Sequence, residues 1–110
     1  ITVALTAGGL CGGADDQQVD ALRTVGRHLG LAFQIIDDVL DATADTATLG
    51  KTAGKDARAG KATYVSLHGL ADSRKLAREY TAAALATLSS LPGDKAFLTG
   101  LMASLAERLR

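Results

Sequence analysis

The chain has 110 residues, enough for one hydrophobic core but short for a complete metabolic enzyme. Twelve Lys and Arg balance twelve Asp and Glu, so no global field recruits nucleic acid or an anionic membrane surface. Hydrophobic residues make up 47% of the chain, rich in Ala and Leu with a single Pro, which favours an all-α fold over strands.

No apolar run approaches the ~20 residues that a membrane span needs. Cys11 stands alone, which excludes an intrachain disulfide framework and points to a reducing, cytoplasmic setting. Ile1–Ala7 reads as the end of a helix, with no basic leader and no cap before it, so the chain is expected to be a fragment. Gly8-Gly9 and Gly12-Gly13 are expected to end that helix. Cys11 between them reads as a small packed residue in a connection, since neither His28 nor His68 is near it in sequence.

Asp15-Asp16-Gln17-Gln18 marks a helix start, with Asp15 as N-cap and Gln18 three places on. From there one long helix is predicted to about Thr43. Val19, Leu22, Gly26, Leu29, Phe33, Ile36 and Leu40 recur at spacings of three or four and form its core stripe. Arg27, Gly30, Gln34, Asp37 and Asp41 follow the same spacing on a neighbouring face, with Asp38 beside them. Three carboxylates therefore fall within five residues of an otherwise apolar segment. Asp competes for backbone hydrogen bonds inside helices, and like charges at Asp37 and Asp41 cost about 0.2–0.5 kcal/mol. A helix built only to pack has no use for this strip; it suits the wall of a cavity that holds a cation.

Residues 43–62 form the longest irregular stretch, with three Gly and four basic residues directly after the acidic helix. Gly50-Lys51-Thr52 lacks both the upstream Gly and the leading strand of a P-loop. A loop that folds Lys51 and Lys61 over an anion held by the acidic strip fits better. Thr63–Gly69 is predicted as a short helix ending at Gly69, with His68 as a C-terminal cap donor. Asp72 is expected to cap the next helix, with Leu76, Tyr80, Ala84, Leu88 and Leu91 inward. Pro92-Gly93 stops it, and Asp94 opens a last helix with Phe97, Leu98, Leu101, Met102, Leu105 and Leu109 inward. No chemistry is expected after residue 70; these two helices read as packing elements, with an oligomer interface as the expected use of their outer faces.

Clustered carboxylates without His or thiolate partners favour a hard cation. Mg²⁺ takes one or two carboxylates and shares its other positions with water and substrate phosphate oxygens. A calcium loop would need alternating oxygen ligands around a central Gly, and zinc would need the two His and one Cys to lie closer in sequence. Carboxylates that hold Mg²⁺, followed by lysines, describe a diphosphate site, in which metal and ammonium charge stabilise diphosphate as a leaving group.

Phe33-Gln34-Ile35-Ile36-Asp37-Asp38-Val39-Leu40-Asp41 resembles the second aspartate-rich motif of the trans-polyprenyl diphosphate synthases, among them farnesyl and geranylgeranyl diphosphate synthases. Leu49–Asp56 and Gly60–Tyr64 resemble the loop and helix start that follow it there, and the likeness runs from about Ala21 to Arg78. The resemblance implies a helical bundle of the isoprenoid synthase fold, usually homodimeric. It implies head-to-tail condensation of isopentenyl diphosphate with an allylic diphosphate. Carried over by position, Asp37, Asp41 and Asp38 would hold Mg²⁺ directly or through water, and Asp56 would support the metal's water shell. Lys51 and Lys61 would contact the allylic diphosphate, and Gln34 would line the same subsite. The first aspartate-rich motif, the Arg pair after it and a Lys-Thr pair are not in this sequence, and in the family they lie upstream. The resemblance therefore implies a C-terminal third of a polyprenyl synthetase domain, spanning 1–110, inactive alone. Two rivals differ from a synthase. A non-catalytic helical subunit or interaction module would be expected to lose the aspartates. A terpene cyclase would mix Asn, Ser and Glu in its second metal motif.

Overall fold

The computed structural model describes residues 1–47 and 62–109. Among them lie five helices and no strand, as composition predicts. They are α1 (Thr2–Cys11), α2 (Asp16–Ala47), α3 (Tyr64–His68), α4 (Leu70–Ser89) and α5 (Ala96–Glu107). At ~1.5 Å per residue, α2 runs close to the full 50 Å length of the molecule, and the other helices pack along it.

α1 does not stop at Gly8-Gly9, contrary to expectation. It continues to Cys11 and ends at Gly12, whose N–H donates to the Gly8 carbonyl. Gly9 serves close packing, since a Cβ there would overlap the Leu22 side chain of α2. Gly26 plays the matching role on α2, where a Cβ would lie 2.6 Å from the Thr2 Cα. Gly26 thus lets the α1 backbone approach α2 at Thr2, and Gly9 makes room for the Leu22 side chain. Cys11 is exposed rather than packed.

The start of α2 is as read from sequence. Asp15 Oδ1 accepts the N–H of Gln18 at 2.8 Å, and Gln18 Oε1 accepts that of Asp15 at 2.9 Å. The helix runs on past Thr43 to Ala47, so the first part of the supposed loop is helical.

α4 lies antiparallel to α2, and two hydrophobic clusters join them. One combines Val25 and Leu29 of α2 with Ala84 and Leu88 of α4 and Met102 of α5. The other combines Ile35, Ile36 and Val39 with Ala77 and Leu109. The innermost positions of α4 are Ser73, Ala77, Thr81, Ala84 and Leu88: Ala84 and Leu88 face inward as predicted, while Ser73, Ala77 and Thr81 take the places expected of Leu76 and Tyr80. Small side chains let the two axes close up, and the bulkier Leu76, Tyr80 and Leu91 flank the contact half-buried. Phe33 was expected inward but is 38% exposed, displaced by Ala32, Ile35 and Val39 on the buried side. On α5 Met102 points in, as does Leu109 just beyond the helix, while Phe97 is 80% exposed and Leu101 also faces out.

α3 and α4 are separated by Gly69, whose φ of +81° breaks the helix at little cost. Asp72 lies inside the first turn of α4, after Gly69, so it meets the helix dipole rather than acting as N-cap. Asp94 does support α5, accepting the N–H of Ala96 at 2.9 Å.

Candidate functional site

The polar strip of α2 faces away from both clusters. Gln34 and Asp41 are exposed, and Asp37 and Asp38 are half-buried. Successive residues of an α-helix project about 100° apart, so the adjacent Asp37 and Asp38 lean toward different walls. Asp37 leans toward the end of α5, where Arg108 Nη2 approaches its Oδ1 at 3.9 Å. Asp38 leans toward the start of α3. Its Oδ1 accepts from Gln34 Nε2 at 3.0 Å, and its Oδ2 accepts the backbone N–H of Tyr64 at 3.1 Å.

The α3 wall is fixed by its own cap. Thr63 Oγ1 accepts the N–H of Ser66 at 3.0 Å, and Ser66 Oγ accepts that of Thr63 at 2.8 Å. Tyr64 and Val65 then bury against the Ile35 cluster, which seats the short helix on α2. Between the two elements lies an open groove of about 490 Å³, lined by Gln34, Asp38, Thr63, Tyr64, Leu67 and His68 among others. His68 stands 6.0 Å from the Tyr64 ring, centroid to centroid, on the rim of this groove.

Among the predicted residues, the structure joins Gln34 to Asp38 and places Asp37 and Asp41 one turn apart. Lys51, Asp56 and Lys61 lie outside the described residues. Sequence reasoning missed Arg108, having expected no chemistry beyond residue 70. The signal was faint: a basic residue directly after the last helix, with no periodicity to tie it to α2. It also missed the Tyr64 backbone N–H as the partner of Asp38.

Among the described residues, no three His, Cys, Asp or Glu side chains gather closely enough to hold a metal ion by themselves. That does not oppose Mg²⁺, which needs only one or two carboxylates and completes its shell with water and phosphate oxygens. Asp37 and Asp41, hard oxygen donors on one side of a rigid helix, match that donor set. Both oxygens of Asp38 accept hydrogen bonds from protein groups.

Comparison with known proteins decides the family. The polyprenyl synthetase family matches residues 1–96. The chain belongs to the polyprenyl synthetase family. It is 43% identical over 96 residues to geranylgeranyl pyrophosphate synthase 11, chloroplastic, of Arabidopsis thaliana, covering 87% of this chain and 27% of that protein. It is 41% identical over 95 residues to geranylgeranyl pyrophosphate synthase 10, mitochondrial, of the same plant, covering 86% of this chain and 28% of the relative. Against the heterodimeric geranylgeranyl pyrophosphate synthase large subunit 2 of that plant, identity is 38% over 109 residues, covering 98% of this chain and 29% of the relative. The chain thus spans under a third of the length of these relatives. Its all-helical architecture agrees with the isoprenoid synthase fold implied by the aspartate motif.

The cytoplasmic expectation is overturned, because these relatives carry chloroplastic and mitochondrial names. A lone cysteine shows that no disulfide joins this chain to itself, a property shared by proteins of every reducing compartment.

Proposed function

We propose that the protein is a prenyl diphosphate synthase, joining isopentenyl diphosphate to an allylic diphosphate, and that residues 1–110 carry one wall of its active site. The observation that supports this most is the pair Asp37 and Asp41, one turn apart on an outward polar strip, inside a chain of the polyprenyl synthetase family. In the condensation the allylic carbon–oxygen bond breaks, diphosphate leaves, a new carbon–carbon bond forms to isopentenyl diphosphate, and a proton is lost. Mg²⁺ held at this site would supply positive charge that stabilises diphosphate as it leaves.

Asp37 and Asp41 would hold that ion, with Asp56 supporting its water shell. Gln34, beside them, offers an amide to the diphosphate oxygens, and Lys51 and Lys61 supply its ammonium partners. Since the second wall is not among these residues, the 110-residue chain is proposed to be inactive alone. The chain is read as the C-terminal third of its domain, working in a homodimer. A heteromeric assembly is the second reading, prompted by the relative named as the large subunit of a heterodimer.

The test is Mg²⁺-dependent binding of a diphosphate to the full-length protein, with Asp37→Ala as the control. Loss of binding and turnover in the variant is expected. Unchanged binding and turnover would refute the site.

A further inference from the structure

The three clustered aspartates look equivalent in sequence and are not equivalent in space. Asp38 spends both oxygens on protein donors, the Gln34 amide at 3.0 Å and the Tyr64 backbone N–H at 3.1 Å. The reciprocal Thr63 and Ser66 bonds span three residues, whereas the Asp38 bond to Tyr64 spans 26 and crosses from α2 to α3. Tyr64 opens α3, and the first N–H groups of a helix have no partner within it. Thr63 and Ser66 cap each other locally, which leaves the Tyr64 N–H for Asp38. A carboxylate accepting such an N–H gains a charge-assisted bond, stronger than its neutral counterpart.

We infer that Asp38 is a positioning residue and not a metal ligand: its carboxylate fastens the start of α3 and the Gln34 amide to one turn of α2. This rests on the synthase reading above, in which Asp37 and Asp41 hold the cation. An ion drawn to Asp38 would have to compete with an N–H dipole and an amide N–H already directed at its oxygens. The work of Asp38 is instead geometric. It fixes the wall of the groove in which Tyr64, Leu67 and His68 lie, and it holds Gln34 in one orientation facing that groove.

Such a clamp needs two hydrogen-bonding positions and no charge, whereas a metal ligand needs the charge. Asparagine separates the two roles. In Asp38→Asn the side-chain oxygen still accepts from Tyr64, and the NH₂ donates to the Gln34 Oε1 once that amide turns over. Asp38→Ala loses both bonds.

The experiment uses the full-length protein with Asp38→Asn, Asp38→Ala and Asp37→Asn. It measures the Mg²⁺ half-saturation of turnover, the KM for the allylic diphosphate, and hydrogen exchange of the Tyr64–Leu67 amides without substrate. Asp37→Asn is expected to raise the Mg²⁺ half-saturation at least about tenfold, and Asp38→Asn to leave it within about threefold. Asp38→Ala is expected to speed exchange at the start of α3 at least about tenfold, the loss of one charge-assisted bond, and to raise KM. Asp38→Asn should restore both. The inference is overturned if Asp38→Asn raises the Mg²⁺ half-saturation as far as Asp37→Asn does. It is also overturned if Asp38→Ala leaves the exchange unchanged. If Asp37→Asn alters neither Mg²⁺ dependence nor turnover, the synthase site fails instead, while exchange still decides the clamp. Should Asp38→Ala not fold, Asp38→Asn carries the decision.

Discussion

Two glycines one turn apart on α2 should respond to the same substitution with opposite signs. Replacing an interior helical Gly by Ala ordinarily stabilises by about 0.5–1 kcal/mol, through helix propensity and reduced freedom of the unfolded chain. At Gly30 a new Cβ meets nothing within 4 Å, so Gly30→Ala should realise that full gain. At Gly26 the same Cβ would lie 2.6 Å from the Thr2 Cα and 2.7 Å from its Oγ1. Backbone cannot yield as a flexible side chain does, so α1 must shift outward by about 1 Å, and overpacking of this kind costs roughly 1–3 kcal/mol. Net of the propensity gain, Gly26→Ala should destabilise by about 1–2 kcal/mol. Urea unfolding of the 110-residue chain, followed by far-UV circular dichroism, reads both. With a slope of roughly 2 kcal/mol per molar urea, the two midpoints should lie about 1 M apart, on either side of the parent. If Gly26→Ala moves the midpoint upward together with Gly30→Ala, α1 is not seated on α2 through Thr2 and the helix pairing is wrong.

Burial along α2 makes a second contrast. Ile36 is fully buried, so Ile36→Ala should cost about 2–5 kcal/mol, whereas Phe33→Ala should cost under about 1 kcal/mol because that ring is 38% exposed. Thermal melts of the two variants compare them directly, and an equal loss would place Phe33 in the core after all. Arg108 supplies a third case. It pairs with Asp37 at 3.9 Å with both side chains 46% exposed, an interaction worth no more than about 1 kcal/mol. If Asp37 holds Mg²⁺, Arg108 competes for it, and Arg108→Ala in the full-length protein should lower the Mg²⁺ half-saturation by less than about fivefold. A rise in half-saturation would show that Arg108 assists the site rather than competing with it.

What could be read from the chain in advance follows how local each cause is. The capping box at Asp15 and Gln18 and the stop at Gly69 are decided by neighbours within four residues, and both stand as read. The inward faces of α4 and α5 depend on how closely the helices approach, so small Ser73, Ala77 and Thr81 took the places of bulky Leu76 and Tyr80, while Ala84 and Leu88 stand as read and Phe97 stayed outside. Gly8-Gly9 misled for the same reason, because Gly9 serves a contact with Leu22 and not a helix end. The acidic strip lies between these extremes. Its existence is visible in the spacing of Gln34, Asp37 and Asp41, since periodicity alone puts them on one side. The division of labour within it is not visible, because it turns on a backbone N–H 26 residues away and on an arginine beyond α5. Asp37 and Asp38 are adjacent and chemically identical, yet one faces Arg108 and the other the start of α3. One step along an α-helix is enough to give two neighbouring carboxylates different walls, and hence different work.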